Sequence, residues 1–368
     1  MPNSLFDSLA IGPMHLPNRT VMAPMTRRKS PGGIPTSDVA GYYRRRAEGG
    51  VGMIVTEGLA IDHPVSIQDS IIPNIYDPVA IARWAAIARD VQAAGAAFVP
   101  QLWHIGGARF KYPAVPNPHL STVSASGIYY PGKVEGAAAT QDDIDAVIAS
   151  YGRAARAAMD IGSDGVNLHG GHGYLIDGFF WSQTNHREDG YGGAEAADRT
   201  RFACEVVREC RRQTRPDFPI MLRFSQFKEQ SYDARVCETP GELDRFLAPL
   251  TDAGVDIFDC STRRFWTAEF AGSDLGLAGW TRKLSGKPTM AVGSVGLEDD
   301  MIASLHRGET TSAAARLDVL ERMLGRGDFD LVGIGRALLS DPDWVAKVRD
   351  GRQVELRGFD RADLEVLT

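Results

Sequence analysis

Cysteine is scarce in this chain: four residues in 368, at Cys204, Cys210, Cys237 and Cys260, with no C-x-x-C pair among them. That spacing offers neither a zinc ribbon nor an iron–sulfur run, and no H-x-H or H-E-x-x-H occurs to build a zinc site from histidine. Scattered thiols in a chain this long are expected to be free and reduced, which points to a cytoplasmic setting. Long apolar runs are also missing, so no membrane span is expected. The opening residues Met1-Pro2-Asn3-Ser4-Leu5-Phe6-Asp7 lack the basic and apolar regions of a signal peptide. Positive charge is thin. The formal net charge is −7, and Arg27-Arg28-Lys29 and Arg44-Arg45-Arg46 are too short for a nucleic-acid footprint. No G-x-G-x-x-G follows an apolar run, so a dinucleotide resident in a Rossmann crevice is disfavoured. A small-molecule substrate, no membrane, no nucleic acid and, where copies associate, a homo-oligomer are what these absences leave.

What is present is a repeating pattern. Eight short apolar runs, at 19–22, 52–56, 98–102, 165–168, 220–223, 256–260, 289–292 and 330–335, alternate with helical periodicities. Helices are expected at 37–48, 78–94, 140–161, 196–214, 239–254, about 311–325, and onward from Asp341. Thr140-Gln-Asp-Asp143 is a plausible cap, and Thr239-Pro240-Gly241-Glu242 reads as a capping box with proline at the first helical position. No Pro/Ser linker divides the chain, so residues 1–368 are expected to form a single domain. The order implies parallel strands with right-handed crossovers. An open doubly wound sheet and a closed (β/α)8 TIM barrel compete. The barrel is preferred because Thr26, Gly58, Gln101, His169, Arg223, Gly293 and Arg336 each follow a different run and would meet at one mouth. A short hairpin over 4–18 would plug the barrel bottom, and the Pro/Gly/Ser-rich stretch 106–138 would wall the site.

The chemistry concentrates in a glycine-rich turn carrying His169, His172 and Tyr174. Two imidazoles and a phenol can hold a carbonyl oxygen and supply a proton. Gln101 and Arg223 end strongly apolar runs, and an amide with a guanidinium suits a pyrimidine-like edge. Gly293, Gly335 and Arg336 after the last two runs suggest a phosphate cradle. Trp103 is core or pocket wall.

Taken together, Ala23-Pro24-Met25-Thr26, Gln101-Leu-Trp-His104, His169-x-x-His-Gly-Tyr-Leu175, Asn185-x-Arg-x-Asp-x-Tyr-Gly-Gly193, Arg223 and Gly335-Arg-Ala-Leu-Leu-x-x-Pro342 resemble the Old Yellow Enzyme family over almost the full chain. The resemblance implies an NAD(P)H-dependent ene-reductase with non-covalent FMN. It implies that Ala23, Pro24, Met25, Thr26 and Gly58 flank the flavin, with Thr26 bonding the carbonyl nearest its reactive nitrogen. Gln101 and Arg223 would hold the pyrimidine edge, and Gly293, Gly335 and Arg336 the phosphate. His169 and His172 would grip the substrate carbonyl, Tyr174 would donate the proton and Trp103 would shape the pocket. This chain departs from the pattern at Gly178-Phe179, at His104-Ile-Gly-Gly-Ala-Arg109 and in the segment 311–325, which looks added. The absence of an iron–sulfur cysteine cluster and of a second nucleotide domain argues against the larger multidomain relatives. Oxidation of an N-methylated amine stays open, as does a metal-dependent hydrolase using His104, His169 and His172, or an inert flavin-binding module.

Overall fold

The computed structural model describes residues 4–298 and 314–368. Ten strands run in chain order: β1 (Leu9–Ile11), β2 (Met14–Leu16), β3 (Thr20–Met22), β4 (Met53–Ala60), β5 (Ala97–Trp103), β6 (Val166–His172), β7 (Ile220–Lys228), β8 (Ile257–Ser261), β9 (Thr289–Val292) and β10 (Leu331–Ile334). The first two form an antiparallel hairpin. The other eight close a barrel in the order β10-β3-β4-β5-β6-β7-β8-β9. Every barrel pairing is parallel, as in a (β/α)8 TIM barrel.

Strand parity divides the interior into floors. Alternate residues point inward, and Val21, Met53, Val55, Ala97, Val99, Met221, Ile257, Met290 and Leu331 pack with Ile11, Met14 and Leu16 of the hairpin. The hairpin therefore closes the barrel bottom, where apolar inward positions need a cover. Two residues further along the same parity, β5 carries Gln101, β7 Arg223 and β8 Asp259. The interior turns polar there because those positions approach the open mouth. The intervening outward positions, among them Ile54, Phe98, Leu222 and Phe258, are buried against the helical layer.

Several strands extend beyond the apolar runs. The second barrel strand was expected to stop at Thr56, but β4 continues to Ala60 across a bulge between Val55 and Gly58. The turn after Leu168 is also strand, since His169 pairs with Arg223 and Gly170 with Phe224. The loop expected from Ser225 begins later, because β7 runs to Lys228, in register with His172. Gly58, Gln101, His169 and Arg223 thus sit within strands rather than after them. Ladder hydrogen bonds do not depend on side-chain polarity, so pairing continues where hydrophobicity stops.

Helix Gln141–Asp160 has a full capping box, Thr140 with Asp143. The box expected at Thr239 is only half made. Its hydroxyl accepts from the Glu242 amide at 3.2 Å, while the Glu242 carboxylate accepts instead from the Glu238 amide at 2.7 Å. The helix expected over 196–214 begins at Arg201, after a 3-10 turn Asp198–Thr200. Of the segment 311–325, residues 311–313 lie outside the described residues, and the helix spans Leu317–Arg326. Short helices at Leu175–Phe180, Leu277–Ser285 and Arg336–Ser340 have too few turns to show as periodicity.

Candidate active site

Two adjoining cavities of about 240 and 310 Å³ open at the C-terminal mouth of the barrel. They share Pro24, Met25, His172, Arg223, Glu229 and Arg336, so they form one space. Every residue picked from the sequence for the flavin and substrate site lines it. Ala23, Gly293 and Gly335 lie on one side, and Thr26, Gly58, Gln101, Trp103, His169 and Tyr174 on the other.

The polar floor is a chain of buried side chains. Arg223 donates to Asp259 through Nε at 2.7 Å and Nη2 at 3.1 Å. Asn167 donates through Nδ2 to the same carboxylate at 3.0 Å, and Gln101 Nε2 donates to Asn167 Oδ1 at 2.9 Å. Asn167 and Asp259 are fully buried and were not picked from the sequence. A signal existed: each stands at an inward parity position of an otherwise apolar strand, as Gln101 and Arg223 do.

Above the floor sit the two imidazoles. Burial holds both well below the usual histidine range, His172 at about 3, with the other imidazole and Arg223 depressing His169 further. Both rings are therefore neutral. His169 Nδ1 accepts from the Gly171 amide at 3.4 Å, which leaves the ring proton on Nε2 as a donor. His172 Nε2 is engaged with Ser261 Oγ at 2.9 Å. The two rings meet edge to face at 5.2 Å. Tyr174 packs edge-on to both His169, at 5.0 Å, and Trp103, at 5.2 Å. An added Cβ on Gly58 would lie 3.1 Å from Trp103, so that glycine lets the indole seat itself in the wall.

The turn bearing His172 and Tyr174 is pinned from below. Lys228 and Asp177, both fully buried, pair at 2.6 Å, and Asp177 also accepts the Gly173 amide at 2.7 Å. Burial pushes the carboxyl up and the ammonium down. Such a pair holds geometry more than it adds stability.

The rim was missed by sequence reading. Tyr174 donates its hydroxyl to Glu229 Oε1 at 2.8 Å, and Lys111 donates to Glu229 Oε2 at 3.0 Å and to Tyr129 at 3.3 Å. Burial, then the Glu229 carboxylate, raises the phenol well above its ordinary range. Lys111 and Tyr129 belong to the stretch 106–138, which was expected to wall the site; it reaches the cavity through Glu229, and none of its own residues is among those that line it. Arg109 braces that stretch by donating to the carbonyls of Pro116, Asn117 and Leu120. On the opposite wall, Thr26 is exposed. Arg27 beside it donates to the carbonyls of Asp363, Leu364 and Val366, which places Leu364 on the cavity.

At the far end, Gly293 adopts φ 153°, and a Cβ there would lie 2.6 Å from the Thr262 carbonyl oxygen. A Cβ on Gly335 would by contrast meet only Met25 Sδ, at 3.6 Å, an ordinary contact. Arg336 reaches Ser294 Oγ at 3.2 Å and lines both cavities. His104 does not join the other histidines. It bonds His63 at 3.1 Å instead. Among the described residues no three His, Cys, Asp or Glu side chains are grouped to hold a metal ion, which removes the support for the hydrolase reading. Nor is any described helix long and apolar enough to cross a membrane.

Solved structures share the whole fold. Morphinone reductase in complex with tetrahydroNAD superposes with a TM-score of 0.77 at 24% identity, over 99% of this chain and 94% of that one. The old yellow enzyme homologue from Zymomonas mobilis gives 0.77 at 23%, over 99% and 97%. In sequence, an NADH oxidase of Thermoanaerobacter brockii is 30% identical over 97% of this chain. The chain spans about half of that protein, 52% of its length. A putative 12-oxophytodienoate reductase 11 of Oryza sativa subsp. japonica is 34% identical over 66% of this chain and 67% of its own. The family model for NADH:flavin oxidoreductase / NADH oxidase matches residues 4–355, and this chain therefore belongs to that family of flavin-dependent oxidoreductases, with the Old Yellow Enzymes among its structural relatives.

Proposed function

We propose that this protein binds FMN non-covalently, takes a hydride from NAD(P)H and reduces the activated C=C bond of α,β-unsaturated carbonyl compounds. The observation that carries the reading is the meeting of His169 and Tyr174 at 5.0 Å in the cavity whose floor is Gln101 and Arg223. The donor set fits the cofactor. Among the described residues Gln101 Oε1 and Arg223 Nη1 make no hydrogen bond, so an acceptor and a cationic donor remain for a cyclic imide edge. Gly293, Gly335 and Arg336 line the cavity together, and a phosphate would sit there.

FMN, when bound, supplies the hydride acceptor and donor. The protein supplies the rest. Neutral His169, with Nε2–H directed outward, donates to the substrate carbonyl oxygen and holds negative charge as it builds there. His172, braced by Ser261, completes that wall. Tyr174 delivers a proton to the carbon next to the carbonyl. Trp103 excludes water and limits substrate width, and Thr26 offers a hydroxyl donor from the opposite wall. A relative's printed name, putative 12-oxophytodienoate reductase 11, supports this class. The buried thiols of all four cysteines are consistent with a reducing, cytoplasmic location.

Mass spectrometry of the cofactor released by heat tests the first step, and FMN is the expected species. FAD, or a flavin that stays on the chain, would overturn it. Anaerobic bleaching of the flavin by NAD(P)H, followed by recolouring with a simple enone, tests the second. A protein that bleaches yet ignores every enone would point back to amine oxidation.

A further inference from the structure

The four-residue floor has a direction, and Asp259 sets it. As the ion partner of Arg223, its carboxylate accepts hydrogen bonds and gives none. Asn167 must therefore turn Nδ2 toward Asp259 and Oδ1 toward Gln101. Gln101 must in turn spend one Nε2 hydrogen on Asn167, which leaves Oε1 as the acceptor offered to the cavity. Neither amide can flip without setting an oxygen against an oxygen. The same carboxylate takes Arg223 Nε and Nη2 in a two-pronged pair at 2.7 and 3.1 Å. Both hydrogens of Nη1 and the second of Nη2 are left over, and the charge behind them is already compensated. All four residues lie in adjacent strands with paired registers, Gln101 opposite Asn167 and Arg223 opposite Asp259, so the arrangement is built into the barrel.

We propose that Asp259 is a positioning residue that sets both the polarity and the charge of this floor. Through Asn167 it commits Gln101 to recognising an N–H, and through Arg223 it limits how strongly the floor favours an anionic ring over a neutral one. The inference rests on the FMN reading above. A cyclic imide has an N–H between two carbonyls, the complement of an acceptor beside a cationic donor. Reduction adds negative charge to that ring at neutral pH. A bare guanidinium would bind the reduced form much more tightly, whereas an arginine already paired with a carboxylate discriminates less. The enzyme must release electrons to its substrate as well as gather them, so a floor that over-stabilised the reduced ring would hold them back.

Three proteins separate the two effects: wild type, Asp259→Asn and Asn167→Leu. Each is purified with FMN, its flavin midpoint potential is measured against a reference dye, and its flavin-free form is titrated with FMN and with N3-methyl-FMN by fluorescence quenching. Wild type should prefer FMN over the N3-methyl flavin by roughly tenfold or more, the loss expected for one good hydrogen bond in a buried site. Asn167→Leu frees Gln101 to turn, so that preference should shrink several-fold while the midpoint potential stays put. Asp259→Asn should shrink the preference and also raise the potential, with the reduced-to-oxidised affinity ratio up by roughly tenfold. An FMN-loaded Asp259→Asn protein with the wild-type potential would overturn the charge role. An unchanged preference in Asn167→Leu would overturn the relay, and a potential that moved in that variant, where Asp259 and Arg223 stay paired, would overturn the charge role even if Asp259→Asn does not fold. Wild-type protein that quenches neither flavin overturns the FMN reading itself, and the inference falls with it.

Discussion

Two hydrogen-bonded chains border the same cavity and are built on opposite plans. The floor, Gln101–Asn167–Asp259–Arg223, comes wholly from strands, and each member is at most 3% exposed. The rim, Tyr174–Glu229–Lys111–Tyr129, joins the end of one strand to two loops, and the Lys111 and Glu229 side chains are 26% and 35% exposed. In the floor the donor orientations are forced, because the members are buried and each partner is fixed by the ladder. In the rim a single hydroxyl proton is committed to a carboxylate that solvent can reach. Under the proposed function, burial on strands suits recognition of one ring, and a part-exposed, loop-borne chain suits a proton that is delivered and replaced on each turnover.

The largest effect that separates them is kinetic. If the rim governs proton delivery, Tyr174→Phe should slow enone-driven flavin reoxidation by roughly 10²–10⁴-fold. Reduction by NAD(P)H needs no such proton and should stay near wild type. Stopped-flow absorbance follows each half separately, and equal slowing of both would place Tyr174 in the floor's category, that of binding.

Next comes the cost of breaking each chain's ion pair. Arg223→Leu leaves Asp259 buried without its cation, which should destabilise the flavin-free protein by about 3–5 kcal/mol. Urea unfolding reads this directly. A loss below about 1 kcal/mol would mean that water reaches Asp259 and that the floor is not dry.

A pH dependence of intermediate size should accompany it. His172 titrates at about 3 in the fold against 6.5 when free of it, because burial and the nearby Arg223 and Lys228 disfavour its cation. Below pH 6.5 the unfolded chain binds a proton that the folded chain refuses. Stability from this group is thus present above about 6.5 and lost as pH falls toward 3. A His172→Asn protein should lose stability less steeply over that window, and parallel curves for the two proteins would show that the ring is not desolvated.

The smallest effect belongs to the rim. Lys111→Met removes a part-exposed pair and should cost no more than about 1 kcal/mol. Its sharper readout is the pH profile of enone reoxidation, which should shift because Glu229 loses its cationic partner. A thermal scan showing several kcal/mol of loss instead would make the Lys111 contact structural and erase the contrast with Arg223.

How much of this was legible in the chain follows from the range of the forces involved. Strand and helix periodicity and the cap at Thr140 are local, and they marked eight alternating units; the polar residues at the ends of the runs then favoured closing those units into a barrel. The residues that line its mouth, Gln101, His169, His172, Tyr174, Arg223 and Arg336 among them, followed because every inward position past the apolar floor of a closed barrel meets the same space. Three things were left to the tertiary structure. Strand ends moved outward, since ladder pairing with a neighbour, not hydrophobicity, decides where β4, β6 and β7 stop. The partners Asn167, Asp259, Glu229 and Lys111 stayed hidden, since a hydrogen bond across 92 residues, as between Asn167 and Asp259, leaves no mark in either segment alone. The protonation of the site was likewise undecided. An isolated histidine or tyrosine carries its ordinary affinity for protons, and only burial beside Arg223, Lys228 and Glu229 makes the imidazoles neutral and the phenol reluctant.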